Sequence, residues 1–100
     1  MSEKRSDAER LVELLAEEQT WLGRYYGHEG QAKVAEEEYN FAEKMIIEAI
    51  KRGDANECKY WERRQKKAMA RREYHIKQAE EAKKKLAEIR HEIKQMLRRR

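Results

Sequence analysis

Apolar residues recur along this chain in steps of three and four, the spacing of one helix face, and no stretch alternates in the steps of two that a strand requires. Ala8, Leu11, Leu15 and Leu22 open the pattern, with Leu14, Trp21 and Tyr25 widening it. Ser6-Asp7-Ala8-Glu9 precedes it as a capping box, in which the Ser6 hydroxyl and the Glu9 carboxylate each satisfy an orphan amide. The pattern predicts a first helix from about residue 7 to Tyr26, stopped by Gly27-His28-Glu29-Gly30. A second stripe follows through Ala32, Ala35, Tyr39, Ala42, Ile46 and Ala49, flanked by Phe41, Met45 and Ile50, and ends at Gly53.

Asp54-Ala55-Asn56-Glu57 is a second capping box, and from there to Arg100 the chain contains no Gly and no Pro. The third helix is therefore predicted to run nearly 70 Å at 1.5 Å per residue, against roughly 30 Å for each of the first two. Its seam passes weakly through Cys58, Trp61, Ala68 and His75, interrupted by Gln65 and Arg72, and then strongly through Ala79, Ala82, Leu86, Ile89, Ile93 and Met96. A hairpin of two short helices covers only half of such a rod, so the part beyond about residue 77 is expected to project as a coiled-coil arm. Leaving Leu86, Ile89, Ile93 and Met96 in water forgoes roughly 1.5–3 kcal/mol each. The expected fold is all-α: a disordered N-terminus over 1–6, an acidic helical hairpin over 7–53 and a long basic helix over 54–100, making a three-helix protomer of an oligomeric helical bundle.

Charge adds a partner to this picture. The net charge is +4, but residues 1–58 carry 8 basic and 14 acidic side chains and residues 59–100 carry 16 and 6, a division of −6 and +10. The basic half calls for an anionic partner. With Ala79, Leu86 and Ile93 at position a of a heptad, a parallel pair of arms would set Lys85 near Arg90 of its mate, so the glutamate-rich first half of a second copy is the expected cover in an intertwined, antiparallel homodimer. The interface is then Trp61, Ala68, His75, Ala79, Ala82, Leu86, Ile89, Ile93 and Met96. The second candidate is a phosphate backbone. Arg63, Arg64, Lys66, Lys67, Arg71 and Arg72, interleaved with Tyr60, Trp61 and Tyr74, have the composition of a sequence-independent nucleic-acid contact.

Residues 22–42 resemble one tetratricopeptide repeat, with Leu22, Gly23, Tyr26, Gly30, Ala35, Tyr39 and Ala42 at that family's spacing. The resemblance implies two antiparallel helices with small residues at their closest approach and a role in binding other proteins. Gln19 stands where that pattern usually has Trp and Ile47 where it has Pro, and no second repeat follows.

The remaining signals are weaker. Glu88 and His91 have the Glu-x-x-His spacing of di-iron bundles, but in one copy and off the seam. Tyr25, Tyr26 and His28 suggest an aromatic plug at a bundle end, and Arg52-Gly53-Asp54 punctuation between helices. Cys58 is expected to be a buried structural thiol, and a single cysteine suits a reducing cytoplasm. Arg98, Arg99 and Arg100 and the Lys83–Lys85 run are explained by the helix dipole and by Glu80 and Glu81. No nucleophile–base pair, phosphate loop, small-molecule site or cofactor motif is evident, and no signal peptide or membrane-length apolar run. Two functions remain: a homo-oligomeric assembly or adaptor protein without catalytic activity, and a nucleic-acid-binding accessory protein.

Overall fold

The computed structural model describes residues 6–99 as two helices, α1 over Asp7–Arg52 and α2 over Ala55–Arg98, packed antiparallel along their whole length. The rod measures 74 × 26 × 14 Å. Expected disorder over 1–6 falls outside the described residues except at Ser6, which caps α1 by accepting from the Glu9 amide at 3.2 Å.

The chain reverses in two residues. Gly53 adopts the left-handed conformation (φ 69°, ψ 26°), the only positive φ among the described residues. Its amide donates to the Ile50 carbonyl at 3.0 Å and that of Asp54 to Ala49 at 2.9 Å, a Schellman closure. Asp54 then caps α2 by accepting from the Glu57 amide at 3.0 Å. Arg52-Gly53-Asp54 is thus helix punctuation, tied further by an Arg52–Glu57 ion pair at 2.6 Å.

The expected break at Gly27–Gly30 does not occur: α1 is helical through it, and residues 22–42, similar in spacing to a two-helix repeat, lie in one helix. The three-helix protomer is thereby replaced by a single long hairpin. The energetic reason is visible in α2. Two interior glycines cost about 1 kcal/mol each, whereas stopping α1 there would uncover Leu86, Ile89, Ile93 and Met96, worth roughly 1.5–3 kcal/mol apiece. Leu86, Ile89 and Met96 are buried and Ile93 is half-buried. No arm projects; the acidic cover foreseen in a second copy is the front half of the chain's own α1.

Two seams meet between the helices. On α2 every residue of the expected line, Cys58 to Met96, is buried or half-buried. On α1 the line is Leu11, Leu14, Glu18, Trp21, Tyr25, His28, Ala32, Ala35, Tyr39, Ala42, Ile46 and Ala49, all buried or half-buried. It departs from the expected stripe in its first half: the line runs through the flanking Leu14, Trp21 and Tyr25 rather than Ala8, Leu15 and Leu22, with Leu14 fully buried and Leu15 46 % exposed. The register matters because Leu14, Trp21, His28, Ala35, Ala42 and Ala49 fall seven apart, carrying the repeat straight through the glycines.

The seam is uneven. In the open half (residues 7–27 against 77–98) Leu14, Ile89 and Met96 form a cluster with Leu11, Trp21 and Ile93 packed on it. In the turn half (residues 28–52 against 55–76) the buried positions are mostly alanines: Ala32, Ala35, Ala42, Ala49 and Ala68. No helix among the described residues is long and apolar enough to cross a membrane.

Candidate functional site

Alanine seams have a consequence for the larger side chains beside them. In the turn half Val34, Phe41, Tyr60 and Tyr74 sit outside the seam, roughly half exposed. By helical spacing they share one flank of the hairpin, Val34 and Phe41 on α1 seven residues apart and Tyr60 and Tyr74 on α2 fourteen apart. Between them Phe41 meets Trp61 edge-on at 5.5 Å, and Trp61 meets Tyr60 at 5.1 Å. The result is a cleft of about 490 Å³ whose apolar floor includes Val34, Phe41, Ala42 and Trp61. Its α1 rim is acidic, with Glu37 and Glu38; its α2 rim is basic, with Arg64, Lys67 and Arg71.

The rim charges differ in how far the hairpin itself satisfies them. Arg71 is bonded to Glu38 across the helices. Arg64 lies over the rings of Tyr60 and Trp61 at 5.6 and 5.8 Å and donates to the Tyr60 hydroxyl at 3.2 Å. Glu37 and Lys67 form no ion pair. Of the six cations expected to contact phosphate, Arg71 and Arg72 are engaged by Glu38 and Glu36 and Arg64 by aromatics, while Arg63, Lys66 and Lys67 are exposed without a salt bridge. Three of the six, Arg64, Lys67 and Arg71, line the α2 rim of the cleft together.

The nine expected interface residues, Trp61 through Met96, line the seam toward α1 of the same chain. Cross-helix ion pairs follow the same logic: Arg10 grips Glu92 through Nε and Nη2 at 3.1–3.2 Å, and Arg90 reaches Glu18 at 2.9 Å. The Glu92 carboxylate raises the Arg10 pKa further above its ordinary value. Arg90, expected to repel Lys85 of a mate, is neutralised within the chain, and Lys85 pairs with Glu88.

At the boundary of the two halves His28 Nδ1 and His75 Nδ1 lie 2.8 Å apart, one ring donating and the other accepting, with Tyr74 edge-on to both. Sequence reasoning placed His75 on the seam and His28 in a turn; the seven-residue spacing of His28 from Trp21 and Ala35 is the signal that joins them. Tyr25 and Tyr26 form an edge-to-face pair at 5.4 Å in mid-helix rather than a plug at a bundle end. The neighbouring Glu29 carboxylate holds the Tyr25 phenol above its ordinary pKa.

Cys58 is half-buried. Desolvation pushes its thiol pKa up, reinforced by its hydrogen bond to Glu62 at 3.4 Å. Among the described residues no three His, Cys, Asp or Glu side chains gather as a metal site; Glu88 and His91 are exposed on the outer face. Comparison with protein-family models, with curated proteins and with solved structures finds no match for this chain.

Proposed function

We infer that this chain is a homo-oligomeric assembly or adaptor protein of the cytoplasm, acting through protein–protein contact and without catalysis. The observation that carries the reading is the half-exposed aromatic and aliphatic flank of the turn half, with Phe41 54 % and Val34 48 % exposed beside a charged cleft. A contiguous apolar surface rimmed by polar groups is characteristic of a protein interface. A two-helix hairpin has only one seam, and a second layer of helices is the ordinary way such a flank leaves water. Light scattering coupled to size exclusion tests this. The expected mass at micromolar concentration is twice or a higher multiple of the 12.1 kDa chain, and a monomer overturns the reading.

Binding to nucleic acid is the second reading, supported by Arg63, Lys66 and Lys67, which the hairpin leaves unpaired on α2. Sequence-independent affinity for DNA or RNA that falls steeply with salt, and weakens when these three become Glu, is its signature. Absence of binding at about 50 mM salt, where such contacts are strongest, removes it.

A further inference from the structure

We propose that the cleft of the turn half is closed by the same cleft of a second copy, about a two-fold axis parallel to the hairpin, with both turns at one end. This rests on the assembly reading and specifies its geometry. The argument is one of charge and symmetry. The α1 rim carries Glu37 and Glu38 and the α2 rim Arg64, Lys67 and Arg71, on either side of the Val34–Phe41–Trp61 floor.

Two copies can meet face to face about an axis lying in the interface in two ways. An axis perpendicular to the helices sets α1 over α1 and α2 over α2, opposing acid with acid and cation with cation. An axis parallel to the helices sets each α1 over the partner's α2. Only the second brings opposite charges together, and like-charge juxtaposition is strongly disfavoured in a desolvated interface. It also keeps each residue at its own height along the rod. Glu37 and Lys67 line the same cleft from opposite rims and have no ion pair within the hairpin. Each would meet the other's counterpart across the axis. The floor contributes Phe41 and the flank beside it Tyr60, exposed aromatics of the kind that anchor interfaces.

The test uses the full chain and sedimentation equilibrium. Glu37→Lys and Lys67→Glu singly are each expected to raise the dimer dissociation constant about tenfold, because the symmetry counts each contact twice. The double variant is expected to return to within about threefold of the parent, the residual expected of an exchanged exposed pair. Phe41→Ala, at a site already half exposed in the hairpin, is expected to weaken the dimer about tenfold or more while leaving helix content unchanged. In a Cys58→Ala background, spin labels at Lys51→Cys should lie within about 25 Å of each other when the turns are side by side, from helix spacings of 8–10 Å. The opposed arrangement puts them about 40 Å apart. A dimer that ignores all three substitutions, or a label separation near 40 Å, overturns this geometry and leaves the assembly reading standing; a wild-type monomer removes both.

Discussion

The two halves of the hairpin solve one packing problem differently. The open half packs Leu14, Ile89 and Met96 between the helices with Leu11, Trp21 and Ile93 against them, while Val12, Leu15, Tyr26 and Leu97 stay outside, 46–67 % exposed. The turn half places alanines there and leaves Phe41, Val34, Tyr60 and Tyr74 on the flank. Composition does not separate the halves, since both are helical and highly charged. Both halves carry large apolar side chains outside the seam; the difference lies in the seam itself, which holds a large-residue cluster in the open half and mostly alanines in the turn half.

The contrast can be broken most directly at its open end. Leu14→Ala is expected to destabilise the hairpin by about 3 kcal/mol, measured by urea unfolding, since it removes a fully buried side chain from the large apolar cluster of the open half. In the turn half the informative change is enlargement: Ala42→Leu, where the helices meet on a small residue, is expected to cost about 2 kcal/mol by overpacking. If both halves packed alike, Leu14→Ala and Phe41→Ala would cost similar amounts, whereas Phe41→Ala is expected to leave hairpin stability nearly unchanged.

The junction between the halves sharpens the comparison. Gly27 and Gly30 are helical with open space where a Cβ would stand, so Gly27→Ala and Gly30→Ala are each expected to stabilise by up to about 1 kcal/mol, raising the melting temperature. A loss of stability instead would mean that the chain breaks there. Glu92→Gln, which weakens the grip of Arg10 at the open end, is expected to have a smaller effect than any of these and to lose it at high salt, both partners being partly exposed. The least effect is kinetic. Cys58 is expected to alkylate more slowly than a free peptide thiol at pH 8 and to reach the peptide rate in urea, because its raised pKa depletes the thiolate in the folded chain only.

Much of this fold is legible in the sequence. The α2 seam, both caps, the stop at Gly53 and the charge division follow from residue spacing and chemistry alone. What misleads is Gly27-His28-Glu29-Gly30, where a local stop signal competes with a tertiary gain two-thirds of the chain away. Propensity is read residue by residue, but the value of continuing α1 is set by Leu86 to Met96, and only length matching between the helices reveals it. The register of α1 was hidden for a related reason. Leu14 and Leu15 are adjacent and chemically alike, and the seven-residue line through His28 decides between them. The flank cleft is legible least, because Phe41 reads as core until the alanines at 35 and 42 are known to hold the contact.

A strict heptad spacing has one further outcome. An untwisted α-helix advances 3.6 residues per turn, so a stripe repeating every seven residues drifts around it, and two such stripes stay in touch only by winding left-handed about each other. A pair wound at the usual pitch of about 150 Å would turn by about a quarter revolution between the midpoints of two such halves, roughly 36 Å apart. On such a winding the side that carries Phe41 and Tyr60 near the bend would point elsewhere by the time it reached the level of Leu11 and Met96. A straight companion could touch it over one half alone, and a companion gripping the entire length would have to spiral.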